Sequence, residues 1–482
     1  MISSASCPVD GGLGRFYLRY MKPRQNQPPL WQQLQSTAGV LAAVRSGASC
    51  ATALNMLSSQ QRPGVQALSF LALRHLGRAL VLRQILARRP PPAATDALLL
   101  TALALMWHND DDDAAEPAPY QAFTLVDQAV EAAQQTRAMR SGAAFVNACL
   151  RRFLRERACL VAQSDPVPLA RWNHPEWWVN RLQTDWPTRW MTMLEANNRH
   201  APLTLRVNSR KTSVNHYLSM LGSAGMAATR VGPHGVHLHA ACAVDVIPGF
   251  ADGLVSVQDA SAQRAAPLLL SGWAVRAGEP DNDQVKHHAP LRVLDACAAP
   301  GGKTAHLLEL ANLQLTALDI DAERCDRVRQ TLQRLGLVAQ VVQADATDPS
   351  SWWDGILFDA VMLDAPCSAS GVVRRHPDIR WLRRPTDIAQ MVQTQARLLQ
   401  SLWPLVKPGG RMLYAVCSVF KAEGDDTIRA CMAGRTDVRC LPLARNAGDF
   451  DDFDDFENLD DVQADGPDSD GFFYALLQKS AK

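Results

Sequence analysis

The sequence predicts three consecutive folded regions: an all-α region, a small α+β region and an α/β domain with a mostly parallel sheet. From about residue 31 to residue 157, apolar residues recur at the i, i+3, i+4 spacing of helices. Around Pro202 the pattern changes to the alternation of strands, and from Leu291 onward strands and helices alternate. A chain of 482 residues is also too long for one hydrophobic core.

The domain boundaries are placed where the pattern changes. We expect a helical domain over residues 31–170 and a linker helix with a small α+β domain over residues 171–265. The α/β domain then occupies residues 266–482. Two segments are expected to be disordered or flexible because they contain few apolar residues: the extension 1–30 and an acidic insert at 449–470. The natural start is left open between Met1 and Met21.

Composition limits the classes of function. The net charge is +1, so a nucleic-acid partner would need a local basic surface. The eleven cysteines are scattered and form no Cys-x-x-Cys pair, which is typical of reduced thiols in a cytoplasmic protein. We see no secretory signature and no apolar run of transmembrane length, so we expect no membrane association.

Six stretches of the first region have the apolar spacing of helices. They are Gly39–Arg45, Val65–His75, Ala79–Ala87, Ala97–Trp107, Thr124–Ala133 and Ala143–Phe153. Six arginines crowd the last part of the region, and solvated helix faces are favoured over a nucleic-acid patch for them. These arginines are Arg137, Arg140, Arg151, Arg152, Arg155 and Arg157.

The middle region predicts short strands around one helix. The strands are Leu203–Asn208, Val236–Leu238 and Leu254–Val257, and the helix spans about residues 214–224. A second helix begins within residues 258–267. The polar segment Gly278–His288 is expected to be a surface loop, and because its paired histidines lack ligand spacing we assign no metal.

The segment Leu291–Thr304 combines a buried strand, a turn of small residues and the start of a helix, which is typical of a Rossmann-like cofactor site. Its tail, Gly301-Gly-Lys-Thr304, resembles the end of a phosphate-binding P-loop. A P-loop, Gly-x-x-x-x-Gly-Lys-Thr, needs its first glycine five residues before Gly302, and the chain has Cys297 there. The pattern therefore disfavours a nucleoside triphosphatase.

Acids and thiols follow the later strands of this domain. Asp319, Asp345 and Asp364 end three successive strands, while Cys367 and Cys417 follow the third and a further one. A single strand-end Asp is often only a helix cap, and a free Cys is often an inert core thiol. Together they indicate a site, because parallel strands present their carboxyl ends at one edge. Carboxylates there suit the ribose and the adenine of an adenosine ligand.

A carboxylate and two thiols beside an adenosine site fit methyl transfer to C5 of cytosine. C5 is a poor nucleophile until a thiolate adds at C6, and a base must later remove the C5 proton so that the thiol leaves. The thiol must be activated from its usual pKa of about 8.5. Asp364, Cys367 and Cys417 supply the groups this chemistry needs.

Three motifs resemble the signatures of the Nol/Nop/Sun family of RNA cytosine-C5 methyltransferases. They are Asp295-Ala-Cys-Ala-Ala-Pro-Gly-Gly-Lys-Thr304, Leu363-Asp-Ala-Pro-Cys-Ser368 and Val416-Cys-Ser418. The segment Ser370–Trp381 is similar to the bacterial members that act on 16S ribosomal RNA. Residues 126–130 and 145–152 resemble the helical, RNA-binding NusB-like domain of that subgroup, and the α+β region is expected to be RRM-like.

The resemblance implies a role for each motif. The cofactor would be S-adenosylmethionine, wrapped by the turn and completed by Asp319, Asp345 and Asp364. The turn residues are Cys297, Ala298, Ala299, Pro300, Gly301, Gly302 and Lys303. Cys417 would be the nucleophile, Cys367 would assist product release, and Asp364 would also face the base.

The resemblance also implies the partner. The substrate would be 16S ribosomal RNA, methylated by a monomeric enzyme at a flipped cytosine in position 967. The motifs Arg206-Val-Asn208 and Asp259-Ala-Ser261 match the small α+β region, which would help to grip RNA, and Arg374, Arg375 and Arg380 are candidates for phosphate contacts.

Two alternatives stay open at this point. A DNA cytosine-C5 methyltransferase also uses a Pro-Cys dipeptide, and would make Cys367 the nucleophile. A non-catalytic RNA-binding assembly factor would retain the fold without the reaction, although the intact Asp364, Cys367 and Cys417 disfavour it. The chain departs from the family at Val416, where Thr is common, and in its acidic insert at 449–470.

Overall fold

A computed structural model describes residues 28–108, 120–273, 290–443 and 469–481. The predicted Gly278–His288 loop lies outside these residues, as do nearly all of the 1–30 extension and the acidic insert. The described residues form two compact units. One contains the chain up to His200 together with Val373–Arg383, and the other contains Ala201–Val372 and the residues from Arg384 onward.

The first unit is entirely helical, as predicted. The helices are α1 Leu30–Arg45, α2 Cys50–Asn55, α3 Arg62–Arg74, α4 Leu76–Leu86, α5 Ala93–Met106, α6 Ala122–Gln135, α7 Ala143–Ser164, α8 Pro168–Trp172, α9 Glu176–Asp185 and α10 Trp190–Asn197. The short helices α2 and α8 were not predicted, because six and five residues are too few to show an apolar period.

Helix α5 forms the centre of this unit. Every residue from Thr95 to Met106 is buried, in accordance with a helix that is apolar on all faces. Its buried carboxylate, Asp96, is compensated by Arg45 at 2.9 Å and Arg83 at 3.2 Å. A charge in such a core is tolerated only when it is paired, so these contacts fix the position of α5.

The segment Val373–Arg383 also belongs to the helical unit and includes the short helix α15, Ile379–Leu382. The Arg380 side chain is fully buried and donates to the carbonyl of Asn197 at 2.6 Å and to Oδ1 of Asn198 at 2.5 Å. Burial lowers the pKa of Arg380 to about 9. Since Arg374 is also buried, the prediction that Arg374 and Arg380 contact phosphates is wrong; for Arg375 it stays a prediction.

No single helix in the described part of the chain is long and apolar enough to cross a membrane. Helices α3 and α4 meet such a criterion only as a pair bent by 70°.

The second unit begins with a small antiparallel sheet in the order β2-β3-β1-β4 beside helix α11, Val214–Ser223. Its strands are β1 Leu203–Val207, β2 Ala228–Val231, β3 Gly235–Leu238 and β4 Val255–Val257. The prediction of a small α+β region is confirmed. The edge strand β2 was not predicted, because its four residues include an exposed arginine and no clear alternation.

The larger sheet has the order β10-β11-β9-β8-β5-β6-β7 among the described residues. The strands are β5 Leu291–Asp295, β6 Leu313–Asp319, β7 Gln340–Gln343, β8 Phe358–Asp364, β9 Val406–Val416, β10 Val438–Leu441 and β11 Phe473–Lys479. The strands from β9 to β7 are parallel to one another, as predicted. At the edge, β11 pairs antiparallel with β9, and β10 pairs antiparallel with β11.

Helices cover both faces of this sheet, where its two apolar cores lie. They are α12 Ala265–Leu270, α13 Gly302–Leu310, α14 Ala322–Leu335, α16 Pro385–Leu402 and α17 Asp425–Met432. One prediction is wrong in detail: Lys407–Gly410 was expected to be a turn before the strand. It lies inside β9, opposite an irregularity in the pairing with β8.

A buried ion pair joins the small sheet to the larger one. Nε and Nη2 of Arg206 on β1 each donate to a carboxylate oxygen of Glu309 on α13 at 2.8 Å, and both side chains are almost inaccessible. Nη1 of Arg206 also donates to the carbonyl of Gly302 at 2.7 Å, at the start of the same helix. Burial raises the pKa of Glu309 although the Arg206 guanidinium opposes this shift. Desolvation is therefore the larger effect, and the loss of one partner would leave an uncompensated charge.

We expect Glu309→Ala to lower the free energy of unfolding by about 3–5 kcal/mol, since it leaves the Arg206 guanidinium buried without its carboxylate. Urea titration followed by circular dichroism measures this change. The matched control is Arg429→Ala, which removes an exposed pair with Asp426 at 3.9 Å and should cost less than about 1 kcal/mol. Equal losses in the two variants would contradict a special role of the buried pair.

Candidate active site

The acids and thiols predicted to form a site lie at one edge of the larger sheet. Strands β5, β6 and β8 end at Asp295, Asp319 and Asp364, and Cys417 directly follows the end of β9. Asp345 lies two residues beyond the end of β7. Because these strands are parallel, their carboxyl ends share an edge, where ligands of open α/β sheets bind.

The turn after β5 is held closely by its neighbours. The amide of Ala296 donates to the carbonyl of Met362 on β8 at 2.9 Å, and that of Ala298 donates to Leu318 on β6 at 2.9 Å. Gly301 has a φ of +94°, and a Cβ there would lie 3.2 Å from Cα of Val328 on α14. The turn therefore needs glycine at this position, and helix α13 begins at the next residue.

Asp295 is buried beneath this turn. Its Oδ2 accepts a hydrogen bond from the Thr304 hydroxyl at 2.6 Å, while its Oδ1 is buried with no hydrogen-bond partner among the described residues. Burial raises the pKa of Asp295 to about 7, against the lowering effect of the Thr304 bond. Sequence reasoning saw this residue only as the end of a strand, because its burial depends on the packing of α13.

Asp319 and Asp345 differ in exposure. Asp319 is buried and accepts the amides of Ala299 and Asp321, each at 3.2 Å, through different oxygens. Each carboxylate oxygen can accept a second hydrogen bond, so Asp319 retains acceptor capacity. Asp345 is exposed, and one of its oxygens accepts the amide and the hydroxyl of Thr347 at 2.8 Å.

Lys303 and Asp364 form an ion pair beside the turn, with Nζ and Oδ2 2.6 Å apart. Burial opposes the charge on the ammonium, yet the attraction of Asp364 prevails and raises the pKa of Lys303. The ammonium also lies 5.1 Å from the centre of the Phe472 ring, and such a cation–π contact favours the charged form. Lys303 is thus a fixed positive charge at the sheet edge.

Cys367 and Cys417, called the thiol pair below, have their sulfur atoms 3.4 Å apart. The hydrogen bond with Cys417 and then burial raise the pKa of Cys367 well above its ordinary value. Cys367 is therefore a protonated thiol at neutral pH, beside the sulfur of its partner. The structure brings this predicted pair together, next to Asp364 at the end of β8.

Glu423 is a fully buried acid that sequence reasoning missed. It lies six residues after Cys417, in a short turn that follows β9, and its carboxylate accepts hydrogen bonds from Ser368 and Ser418. Each of these serines directly follows one cysteine of the thiol pair. Nothing in the local sequence distinguishes Glu423 from an exposed acid, since its partner Ser368 comes from the distant loop after β8.

Among the described residues, no group of three or more His, Cys, Asp or Glu side chains is arranged to hold a metal ion.

Comparisons with known proteins agree on one family. The family described as 16S rRNA methyltransferase RsmB/F matches residues 282–478, and its ferredoxin-like domain matches residues 174–245. The Ribosomal RNA small subunit methyltransferase B of Pseudomonas putida is 43% identical over 342 residues, which cover 70% of this chain and 73% of that protein. Its counterpart from Vibrio cholerae is 41% identical over 364 residues, covering 74% and 77%. The chain belongs to the RsmB/F family.

Solved structures support the fold of this RsmB/F family member. The protein PH0851 is 22% identical with a TM-score of 0.67, covering 95% of this chain and all of that one. A methyltransferase homologue from Pyrococcus horikoshii is 26% identical with a TM-score of 0.51, and the match covers 64% of this chain and 97% of the homologue. The larger sheet thus has the class I methyltransferase fold, and the smaller sheet is ferredoxin-like. The likeness of the first unit to NusB stays a prediction.

The two further motifs noted in the small α+β region, Arg206–Asn208 and Asp259–Ser261, make hydrogen bonds within the fold. Arg206 and Asn208 are almost inaccessible, and Asn208 donates to the carbonyl of Gly253 at 3.1 Å. The Ser261 hydroxyl donates to the carbonyl of Asp470 at 2.8 Å, and Oδ1 of Asp259 accepts the Asp470 amide at 3.2 Å. These bonds give the two motifs a role in holding the fold together, and RNA binding by this region stays a prediction.

We expect Asp295→Asn to change how stability depends on pH. Between pH ~4 and ~7, the unfolded carboxyl, with a pKa of about 3.9, ionises while the folded one stays protonated, so wild-type stability falls as pH rises. The variant lacks this loss. Its free energy of unfolding relative to wild type should therefore rise across this range, by up to about 4 kcal/mol at about 1.4 kcal/mol per pKa unit.

Urea titrations at pH 4, 5.5 and 7 measure this difference. A difference between the two proteins that stays constant over these pH values would show that Asp295 is ionised in the folded protein.

Proposed function

We propose that this chain is an S-adenosylmethionine-dependent methyltransferase that forms 5-methylcytosine in 16S ribosomal RNA, at cytosine 967. The observation that carries the proposal is the thiol pair, 3.4 Å between sulfurs, beside Asp364 at the edge of a class I methyltransferase sheet. Membership of the RsmB/F family supports ribosomal RNA as the substrate, as do the names of the relatives.

The residues of the sheet edge fit S-adenosylmethionine. The small-residue turn from Cys297 to Lys303 allows a ligand to approach the backbone, and the carboxylates of Asp319, Asp345 and Asp364 offer acceptors for hydroxyl, amine and ammonium donors. When bound, S-adenosylmethionine supplies an electrophilic methyl group.

Cys417 is the proposed nucleophile. Its sulfur adds to C6 of the cytosine, and the displaced electron pair makes C5 an enamine carbon that can take the methyl group. A base then removes the C5 proton, the bond between C6 and sulfur breaks, and the Cys417 thiolate leaves. Cys367 is poorly suited to attack, since its raised pKa keeps it protonated.

A protonated Cys367 is suited to the last step instead. Its sulfur lies 3.4 Å from that of Cys417 and can donate a hydrogen bond or its proton to the departing thiolate. Asp364, which is partly exposed and ends strand β8, is proposed to face the ring of the target base. The two thiols thus have different proposed tasks: Cys417 attacks the cytosine, and the protonated Cys367 assists its departure.

The remaining domains are proposed to bind the RNA. The helical unit over residues 31–170 is proposed to be a NusB-like RNA-binding domain, and residues 171–265 a linker helix with an RNA-binding domain. Residues 266–482 form the proposed methyltransferase domain. A monomer would then bind the ribosomal RNA and flip the target cytosine out of its stack into the site.

We expect Cys417→Ala to abolish methylation, because no thiolate remains to activate C5. Cys367→Ala should instead accumulate a covalent RNA adduct, because methylated product is no longer released. Denaturing gel electrophoresis with labelled RNA detects the adduct, and bisulfite sequencing of ribosomal RNA maps the product.

The matched control is Cys159→Ala, which replaces an exposed thiol on α7 and should methylate like the wild type. Loss of the adduct in Cys367→Ala together with its retention in Cys417→Ala would make Cys367 the nucleophile, as in the DNA-type chemistry. A wild-type protein that methylates nothing would favour a non-catalytic RNA-binding factor.

A further inference from the structure

Glu423 lies at the centre of a buried polar cluster that includes no reacting atom. Its Oε1 accepts the amide of Ser368 at 2.7 Å and Nε2 of Gln395 at 3.2 Å. Its Oε2 accepts the hydroxyl of Ser418 at 2.5 Å and also that of Ser368. The side chain is fully buried, so these hydrogen bonds to a charged acceptor are stronger than ordinary ones.

The cluster connects the two loops that carry the thiol pair. Ser368 directly follows Cys367, and Ser418 directly follows Cys417. Ser370 adds a second link, since its hydroxyl lies 2.9 Å from that of Ser418. The amide of Gly371 donates to the carbonyl of Cys417 at 3.0 Å. One carboxylate therefore joins two segments that leave the sheet from different strands.

The loop after β8 needs such support. Cys367 lies three residues beyond the end of its strand, so the strand pairing does not fix it. Ala369 has a φ of +60°, a conformation that residues with a side chain rarely adopt and that persists only when neighbours impose it. Ser368 and Ser370, on either side, make the hydrogen bonds that impose it.

We propose that Glu423 is the positioning residue of the thiol pair. Through its hydrogen bonds with Ser368 and Ser418, it holds the sulfur atoms of Cys367 and Cys417 3.4 Å apart. The proposal rests on the proposed function, because it assigns the spacing a purpose in methyl transfer. Displacement of a reacting group by ~1 Å can cost about 100-fold in rate, so this control of position matters for catalysis. The carboxylate also adds to the effects that raise the pKa of Cys367, after the Cys417 bond and burial.

The first test separates turnover from binding. We expect Glu423→Ala to lower kcat by about 100-fold, while the KM values for S-adenosylmethionine and RNA stay within about twofold. Glu423→Gln should lose less, since the amide oxygen still accepts from Ser368. The matched control is Asp426→Asn, an exposed acid three residues further on, which should keep wild-type kcat. A wild-type kcat in both Glu423 variants would overturn the proposal.

The second test measures the spacing of the thiols without any methylation. Phenylarsine oxide binds tightly only to two thiols that lie close together, and Cys367→Ala gives the one-thiol baseline. We expect Glu423→Ala to weaken binding towards that baseline. Lower kcat with unchanged arsenical affinity would overturn the positioning role, because the thiols would then still be paired. If Cys417→Ala still methylates, the proposed chemistry fails while the arsenical result still reports on Glu423.

A third comparison tests the route through the serines. If Glu423 acts through Ser418, then Ser418→Ala and Glu423→Gln should together lower kcat by clearly less than the product of their separate effects. Independent, multiplicative effects would contradict that route. Circular dichroism checks each variant for folding, and should the Glu423 variants unfold, Ser368→Ala and Ser418→Ala replace them in the kcat and arsenical assays, with the same outcomes for and against.

Discussion

The parallel alignment of strands β9, β8, β5, β6 and β7 is the constraint on which the candidate site depends. Parallel strands bring residues that are far apart in the chain to one edge, and the connecting helices must then cover both faces of the sheet. The turn after β5 can approach a ligand only because the amides of Ala296 and Ala298 are engaged by β8 and β6. The same alignment places Cys417 next to Cys367, fifty residues apart in sequence. A different order of these strands would leave every sequence motif intact, but the site residues would no longer lie close together.

Three charged or acidic groups buried in the described part of the chain, Arg206, Glu423 and Asp96, are each bound by several partners. Arg206 is engaged by Glu309 and by the carbonyl of Gly302, and Glu423 accepts bonds from two serines and a glutamine. Asp96 has two arginines within 3.2 Å. Since an isolated buried charge would be strongly destabilising, each cluster specifies one arrangement of the elements that carry its members. Stability and precise placement of side chains therefore have the same origin here.

The sequence predicted those features whose signal is local. Strand-end acids, the small-residue turn and the cysteines stand in short motifs, and the strand and helix periods that frame them are strong. Features that depend on distant partners were missed or misjudged. Arg380 follows Cys367 closely and looked like a phosphate contact, but Asn197 and Asn198, almost two hundred residues earlier, enclose it. Lys407–Gly410 has the composition of a turn, yet it lies inside β9, opposite the irregularity between Phe358 and Ala360 in the pairing with β8. The domain boundaries and the roles of the site residues stay predictions.

The path of the chain between the two units limits how this architecture can be rearranged. The polypeptide leaves the second unit after Val372, contributes Val373–Arg383 to the helical one, and returns at Arg384. The helical unit is therefore not formed by one continuous segment at the start of the chain. A descendant that lost residues 1–200 would retain Arg380 and Asp378 without the groups that now surround them, among them the amide of Cys50. Loss of the helical unit would therefore require compensating changes in Val373–Arg383.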